Sequence, residues 1–384
     1  MEVRHGKKCV REYTGDMPDQ TSPTITTADT LRSLCAHLAR APWIALDTEF
    51  MRVQTYRARL CLVQLATPDT VVCVDPLALS DLTPLLELVY APHITKVLHA
   101  ARQDLEVFAD LRGGPPPSVF DTQIAASLVG YDDQLGYGAL VEAITGHKLD
   151  KLEARTDWAA RPLSDSQIRY AEDDVVYLRD VYLHLETRLK ELGRTQWLVE
   201  ECTTLTDPAL YRTDPENAWR RLGAGAMLAP PAQTILAALA TWRERQAQQR
   251  DLPRGWVVPD PILVEMARRM PDSIAALAAI PEIKPSVVRR DGVALLEIVA
   301  QARTAPIQPR WDTPERLDPA QMTLLKKLGA RVQERAREAS VSQTLIAPKR
   351  ELLRLVRRDP ACALLRGWRR NFIGEELSAL CGSS

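Results

Sequence analysis

The feature that most constrains the fold is a short apolar run that ends directly in two acids. Residues 43–46, Trp-Ile-Ala-Leu, read as a buried strand, and Asp47 and Glu49 follow one residue apart. Alternate side chains of a strand point to the same face, so both carboxylates can converge on one hard cation, which prefers oxygen ligands. Taken alone the pattern is weak evidence, because strands that end in solvent commonly carry acids.

Three further apolar runs predict the rest of a sheet: residues 60–66, 70–74 and 96–98. The gaps between the first three runs are short enough for hairpins, whereas a helical segment at 79–91 precedes the last one. A parallel neighbour needs such a crossover, so we expect a mixed sheet. A helical pattern at 26–41 comes before it, and helical patterns dominate after residue 98.

A second acidic motif follows the run at 96–98. The sequence His99-Ala-Ala-Arg-Gln-Asp104 predicts a turn and a helix that begins near Asp104. An Asp in the first turn of a helix often serves only to complement the helix dipole, and Asp104 alone indicates no more than that. His99 has no Cys or second His at ligand spacing, so it is typical of a strand end or a substrate contact rather than of a metal ligand.

The third motif pairs a tyrosine with an acid. Tyr170 and Asp174 lie on a strongly helical segment that Ser164 or Ser166 is expected to cap. The i,i+4 spacing brings the phenol beside the carboxylate, so that water near Asp174 could hydrogen-bond to the tyrosine oxygen. By itself, such a pair is usually just helix surface.

The charge of the chain is unevenly distributed. The 384 residues carry a net charge of −1, but residues 228–384 hold 25 Lys and Arg against 17 Asp and Glu, or +8, which leaves 24 against 33, or −9, for residues 1–227. An acidic half beside a basic half suits an anionic substrate whose chemistry needs cations, although ordinary solvated faces would give the same counts.

Composition excludes several classes of protein. There is no run of eighteen apolar residues, and residues 1–22 are polar and aperiodic, so we predict a flexible tail without a signal or membrane span, and hence a cytoplasmic location. The seven cysteines are odd in number and scattered and form no CxxC pair, so neither a disulfide framework nor a structural zinc site is expected.

The C-terminal part contains an apparent internal repeat at an offset of 89 residues. Apolar and turn residues coincide along a shared helix–loop–helix rhythm, for example Leu236 with Leu325, Pro259 with Pro348 and Pro271 with Pro360. We therefore expect two related helical domains.

Taken together, the three motifs resemble the DEDD exonuclease superfamily in its tyrosine-bearing branch, and the similarity runs from about Ile25 to Leu205. The order of the motifs and their strand and helix contexts are those of that superfamily. The resemblance implies a ribonuclease H-like mixed sheet and assigns catalysis to Asp47, Glu49, Asp104, Tyr170 and Asp174, with the four acids as metal ligands. None of the five is missing, so an active enzyme is expected.

The helical half resembles the helicase-and-RNase-D C-terminal (HRDC) domain in Leu236-x-x-Leu239-x-x-Trp242-Arg-Glu and in residues 253–259. Together the parts are similar in layout to the ribonuclease D family. The second copy departs from the pattern, with Arg331 opposite Trp242, so its role in RNA binding stays open. The predicted organisation is a tail at 1–22, an exonuclease domain at 23–205, a linker at 206–227, a first HRDC domain at 228–307, a linker at 308–318 and a second HRDC-like domain at 319–384.

The resemblance implies hydrolysis of RNA from its 3′ end with release of nucleoside 5′-monophosphates. Two divalent ions, Mg²⁺ or Mn²⁺, would serve the reaction, with Tyr170 orienting or deprotonating the attacking water. The expected substrates are RNAs with an accessible 3′ end, including tRNA precursors and other small stable RNAs, and a monomer is favoured. Weaker predictions for substrate contact are Thr48, Phe50, Gln64, His99 and Lys151, whereas Asp121 is predicted to cap a helix.

Two other functions remain open from the sequence. A DNA 3′→5′ exonuclease would use the same motifs, but the chain has no G-x-x-x-x-G-K-[ST] phosphate loop to support a helicase and is too short to hold a polymerase as well. A noncatalytic RNA-binding scaffold would use only the basic helical domains, and the complete set of acids argues against it.

Overall fold

The computed structural model describes residues 24–149, 156–307, 311 and 317–382. The predicted tail at 1–22 and the predicted substrate contact Lys151 lie outside the described residues. Within the described part, no helix is both long enough and apolar enough to span a membrane.

A mixed sheet forms the centre of the N-terminal domain, as predicted, and it has five strands within the described residues. Its strands are β1 (Trp43–Met51), β2 (Arg59–Ala66), β3 (Val71–Val74), β4 (Thr95–Leu98) and β5 (Val119–Asp121), in the order β3-β2-β1-β4-β5. β1 and β2 pair antiparallel, as do β2 and β3, whereas β4 runs parallel to both β1 and β5. The sequence patterns did not indicate β5, which has only three residues.

In the described parts of this domain, residues 24–149 and 156–205, seven helices surround the sheet. They are α1 (Ala28–Leu38), α2 (Thr83–Tyr90), α3 (Arg102–Arg112), α4 (Thr122–Val129), α5 (Tyr137–Thr145), α6 (Asp165–Glu191) and α7 (Thr195–Leu205). Ile44 and Leu46 of β1 pack in one core with residues of α1, α2 and α3. Trp43 and Ala45 pack on the other side with α6. The alternation along β1 therefore decides that its odd-numbered residues face α6.

Helix α6 begins where the sequence predicts. Ser164 is its N-cap: the Ser164 hydroxyl accepts from the Gln167 amide, and the Gln167 side chain accepts from the Ser164 amide. This capping box fixes the start of a 27-residue helix. Tyr170 and Asp174 consequently lie in the first turns of α6, where this helix packs over the sheet.

The first helical region, residues 230–304, has a core of its own. It comprises α8 (Pro230–Arg250), α9 (Arg254–Val257), α10 (Asp260–Arg269), α11 (Ile274–Ala278) and α12 (Pro285–Thr304). The predicted linker at 206–227 contains three short 3-10 helices, and its Ala218 and Leu222 are buried in this core. Apolar residues of the connecting segment thus extend the first helical domain.

The second helical region comprises α13 (Pro319–Ala339), α14 (Gln343–Ile346), α15 (Lys349–Val356), α16 (Gly367–Arg369) and α17 (Glu375–Gly382), with a π-helical turn before α17. α13, α14 and α15 begin at residues 319, 343 and 349, each 89 positions after the starts of α8, α9 and α10 at 230, 254 and 260. The offset seen in the sequence is therefore also an offset between helices.

Candidate active site

Three carboxylates converge where the end of β1 passes under α6. Asp47 and Glu49 lie on the face of β1 that α6 covers, and Asp174 comes from α6 itself. One oxygen of each lies within 4.8 Å of an oxygen of the other two, which is close enough for a single cation to contact all three. The strand and helix motifs of the sequence therefore meet in space.

Asp104 reaches the same region from the N-terminal turn of α3, as its position in the sequence predicts. It is buried, and the Thr48 hydroxyl donates a hydrogen bond to its carboxylate at 2.5 Å. Asp104 is not part of the group whose oxygens lie within 4.8 Å of one another. Its charge nevertheless acts on that group, since it raises the pKa of Asp47 and of Glu49.

The pKa of each of the four acids is raised, by burial first and, for Asp47, Glu49 and Asp174, also by the charges of neighbouring acids. Burial, followed by the charges of Asp174 and Asp104, raises the pKa of Glu49 to about 8. Burial together with the charges of Asp173 and Asp104 raises the pKa of Asp174 to about 7, and burial raises the pKa of Asp104 to about 6. The pKa of Asp47 lies well above its usual range, because of burial and then the charges of Asp104 and Asp174.

Such a cluster favours protons or cations over four bare negative charges. The candidate ligand atoms are all carboxylate oxygens, and they come from three secondary-structure elements, β1, α3 and α6. This set fits hard divalent metal ions.

Tyr170 lies one helical turn before Asp174, with its ring half-buried beside Trp158. The ring centroids of the two residues are 6.1 Å apart. Burial and the charges of Asp174, Glu49 and Asp47 raise the pKa of the phenol, so it stays protonated at neutral pH. The phenol is therefore a hydrogen-bonding group at the edge of the acid cluster.

The structure places the other predicted contact residues around the site. Gln64 lies opposite Asp47 in the antiparallel register, fully buried, and both polar atoms of its amide lack a partner within the described residues. The Nδ1 of His99 lies 3.0 Å from the hydroxyl of Thr122, and burial lowers the His99 pKa to about 4. His99 is thus neutral at physiological pH, and its role in substrate contact stays a prediction, like that of Gln64.

Thr48 and Phe50 lie on the face of β1 opposite to that of Asp47 and Glu49. The Thr48 side chain is 6% exposed and holds Asp104, whereas Phe50 packs partly against the core under α3. A nucleotide contact by either residue remains a prediction. What the structure adds is a positioning role for Thr48, which the sequence pattern did not reveal because its partner lies 56 residues away.

Asp121 caps α4, as predicted, and does more than that. Its carboxylate accepts hydrogen bonds from the amides of Gln123 and Ile124 at the start of α4. It also accepts from the amides of Ala100 and Ala101, in the turn between β4 and α3. Asp121 therefore fixes the turn that carries Asp104.

Sequence reasoning missed Tyr137. Its hydroxyl donates to the carbonyl oxygen of Asp173 at 2.9 Å, and its ring lies 5.6 Å from that of His99. Burial and the charges of Asp174 and Asp47 raise its pKa well above the usual value. It buttresses α6 beside the site, and no motif spacing pointed to it.

Comparison with known proteins agrees with this geometry. A family model described as "3'-5' exonuclease" matches residues 23–190, and a model of the HRDC domain matches residues 232–299. Ribonuclease D of Gluconacetobacter diazotrophicus is 42% identical over 368 residues, which are 93% of this chain and 92% of that protein. Ribonuclease D of Acidiphilium cryptum is 40% identical over 370 residues, with 93% and 92% covered.

Solved structures show the same relationship. The crystal structure of Escherichia coli RNase D is similar with a TM-score of 0.86 at 34% identity, covering 95% of this chain and 99% of that one. The catalytic core of RRP6 from Trypanosoma brucei gives a TM-score of 0.58 at 25% identity, with 73% and 79% covered. With similarity of this level over almost the whole chain, the protein belongs to the ribonuclease D family and is a hydrolytic 3′→5′ exoribonuclease.

Proposed function

We propose that Asp47, Glu49, Asp104, Tyr170 and Asp174 form the catalytic site, at which two divalent cations support stepwise release of nucleoside 5′-monophosphates. The observation that carries this proposal is the convergence of three carboxylates within 4.8 Å at the end of β1, with Asp104 and Tyr170 beside them. A phosphodiester is an anionic substrate, and four carboxylates alone would repel it.

The four acids are the residues that would hold the cations. When bound, cations at such a site activate the attacking water and stabilise the charge on the departing oxygen. Thr48 would keep Asp104 in place through its hydrogen bond. Because the raised pKa keeps the Tyr170 phenol protonated, we assign Tyr170 to orienting the water rather than to removing its proton.

The RNA substrates are the next part of the proposal. The Escherichia coli relative is described as an exoribonuclease involved in structured RNA processing. We propose a corresponding role for this chain in 3′ maturation of tRNA precursors and other small stable RNAs, as a cytoplasmic monomer. The natural substrate would be an RNA with an accessible 3′ end, using Mg²⁺ or Mn²⁺.

We also propose that the second helical region is a divergent HRDC-like copy. The support is the offset of 89 residues shared by three helix starts. Left-handed residues end the first helix of each copy at equivalent positions, Asp251 and Ser340. A common helix–turn–helix geometry would explain why the backbone turns at equivalent positions in the two helical regions.

The test is degradation of a 5′-labelled single-stranded RNA with Mg²⁺, with Mn²⁺ and with chelator, alongside the DNA of the same sequence. Asp174→Asn should abolish a ladder that shortens from the 3′ end, whereas Asp180→Asn, an exposed acid on the same helix, should leave it intact. Equal loss in both variants, or cleavage that persists in chelator, would refute the assignment of the site. Preferred cleavage of the DNA would refute the RNA substrate.

A further inference from the structure

A cleft of about 860 Å³ lies beside the acidic site, between the exonuclease domain and the first helical domain. One wall is the loop that follows β1 together with the outer face of α3. The other wall is the connecting segment around residues 208–221 together with the start of α9. Two domains and their connection therefore build one concave surface.

The cleft begins close to the catalytic acids. Arg52 lines it and lies three residues after Glu49 in the chain, a distance of about 10 Å along a strand. Glu106 also lines it and is two residues after Asp104 on α3. About 10 Å corresponds to roughly three stacked nucleotides of a strand. A polymer whose end lies at the acids would thus reach the cleft within a few units.

The two walls are held at a fixed spacing by Tyr56. Its amide and that of Arg57 donate to the carboxylate of Asp251, at 3.0 and 3.1 Å. Its hydroxyl donates to Glu244 and accepts from Arg254 at 3.0 Å. The cleft is therefore set up by contacts between folded domains rather than by a loop alone.

Most charges in the walls are already paired. Arg52 lies 3.0 Å from Glu106, Arg57 lies 3.9 Å from Asp110, and Arg254 is paired with Glu244. The carboxylate of Asp214, a further acid in the wall, accepts from the amide of Glu216 and the side chain of Asn217.

Two arginines on the connecting segment have unused hydrogen-bonding capacity. The guanidinium of Arg212 makes no hydrogen bond or ion pair with any residue that the structure describes, and it is exposed. Among the described residues, the guanidinium of Arg221 makes one hydrogen bond, a long one of 3.4 Å to the hydroxyl of Thr213. Each can form charge-assisted hydrogen bonds with an anion that enters the cleft.

Trp256, at the rim of the cleft, is the third feature. It is 56% exposed, and it is the only one of the eight tryptophans that falls in the exposed class. Single exposed apolar residues are ordinary on protein surfaces. Here, however, the indole lines the same cleft as Arg212 and Arg221. Aromatic faces next to cations are what single-stranded nucleic acids use for stacking and phosphate contact.

We propose that this cleft binds the single-stranded RNA segment immediately upstream of the 3′ end. Arg212 and Arg221 contact its phosphates, and Trp256 stacks on a base. The inference rests on the proposed function of the acidic site, because that site defines which part of the RNA enters the cleft. Recognition through stacking and phosphates makes the cleft tolerant of sequence and sensitive to strand length.

Binding is measured first, by fluorescence anisotropy of a labelled single-stranded RNA of about 12 nucleotides, which is longer than the cleft. The full chain is used, with chelator present so that the RNA stays intact. We expect the double variant Arg212→Ala/Arg221→Ala to weaken RNA binding by about tenfold. The slope of log affinity against log salt concentration should become shallower by about one to two, because two phosphate contacts are lost. Trp256→Ala should weaken binding by about tenfold without changing the slope. Melting temperatures of all variants should stay at the wild-type value, because the three side chains are exposed.

Matched controls come from the same domain. Arg289→Ala/Arg303→Ala removes two exposed charges on α12, and Met227→Ala removes an apolar side chain that is 88% exposed. None of these residues lines the cleft. If the control variants weaken RNA binding as much as the cleft variants, the effect is general electrostatics or folding, and the proposal is overturned.

Turnover then separates this inference from the proposed function. With Mg²⁺, the cleft variants should raise KM for the long RNA about tenfold and leave both KM and kcat for a dinucleotide unchanged. If the wild type cleaves RNA and the cleft variants behave like the wild type, the proposal for the cleft is refuted and the proposed function stands. If the wild type cleaves no RNA, the proposed function is refuted, and the binding measurement still tests whether the cleft binds RNA.

Discussion

The two helical domains have related helix layouts but attach to the exonuclease domain in opposite ways. The second domain shares one continuous core with it: Leu328, Val332 and Trp368 are buried in the same cluster as Trp43 and Val175. The Trp368 ring stacks on Trp197 of α7, with centroids 4.4 Å apart. Its indole N–H donates to Glu201, which is also paired with Arg369.

The first domain keeps a separate core. Within the described residues, Tyr56 is the exonuclease-domain residue that packs against it, and the contacts around Tyr56 are mainly polar. Polar contacts exchange with water at a small net change in free energy, whereas opening a shared apolar core exposes its whole surface. The comparison teaches that the second domain is a structural part of the catalytic unit, whereas the first domain has its own core and is joined to that unit mainly by polar contacts.

The largest expected difference between the two helical domains is in the effect of truncating one tryptophan in each. Trp368→Ala removes a side chain that is 3% exposed, so the free energy of unfolding should fall by about 3–5 kcal/mol. Trp256→Ala removes an exposed side chain and should change it by less than about 0.5 kcal/mol. Denaturant unfolding followed by circular dichroism measures both. Similar losses in the two variants would contradict the assignment of separate and shared cores.

The pH dependence of stability should belong to the unit that contains the acids. In chelator, the folded protein holds the protons of Glu49, Asp174 and Asp104 up to pKa values of about 8, 7 and 6, whereas the unfolded chain releases them near pH 4. The unfolded state binds fewer protons between these limits, so stability decreases as the pH rises from about 4 to about 8. The Asp104 shift alone, from 3.8 to about 6, corresponds to roughly 3 kcal/mol.

This loss should be seen in thermal melts of the metal-free protein as a melting temperature that falls from about pH 5 to about pH 8, and Asp174→Asn should reduce it. Added Mg²⁺ should reverse it, because cations replace the protons at the carboxylates. Signals from the first helical domain should not follow the same pH profile. A profile that is flat in chelator would show that the acids do not share one site.

A glycine in the connecting segment tests whether that segment belongs to the first domain. A Cβ at Gly225 would lie 2.3 Å from the Trp311 ring, which in turn packs edge-on against Trp219 with centroids 4.8 Å apart. Gly225→Ala should therefore displace Trp311 and destabilise the first domain by about 1–3 kcal/mol. Tryptophan fluorescence reports the displacement. Gly223→Ala, where a Cβ meets nothing within 4 Å, is the matched control and should be close to neutral.

The sequence predicted the catalytic side of the molecule better than its assembly. The strand spacing of Asp47 and Glu49, the first-turn position of Asp104 and the cap at Ser164 are local properties, and local rules of geometry are enough to predict them. The prediction that these acids form one site needed the resemblance to a family, because strand and helix patterns do not say which elements meet.

The contacts between domains left no local signal. Trp197 and Trp368 stack across 171 positions of the chain, and Tyr56 reaches Glu244 across 188. The charge count for residues 228–384 treated the helical half as one basic body. Residues 319–384 hold 13 Lys and Arg against 6 Asp and Glu, or +7, whereas residues 228–307 hold 10 against 8, or +2. The more basic of the two helical regions is also the one that shares a core with the exonuclease domain.

The smallest expected effect sharpens the comparison at the polar interface. Tyr56→Phe keeps the ring over Arg254 but deletes the hydroxyl that contacts Glu244, Arg254 and Gln248. Loss of these hydrogen bonds should cost about 1 kcal/mol, mostly as looser docking of the first domain. Hydrogen exchange should therefore rise in the loop after β1 and in α9, with the sheet unchanged. Tyr90→Phe, which deletes hydroxyl bonds within the exonuclease domain, should loosen that domain instead. If Tyr56→Phe loosened the sheet as well, the first domain would be part of the catalytic unit, and the contrast between the two helical domains would fail.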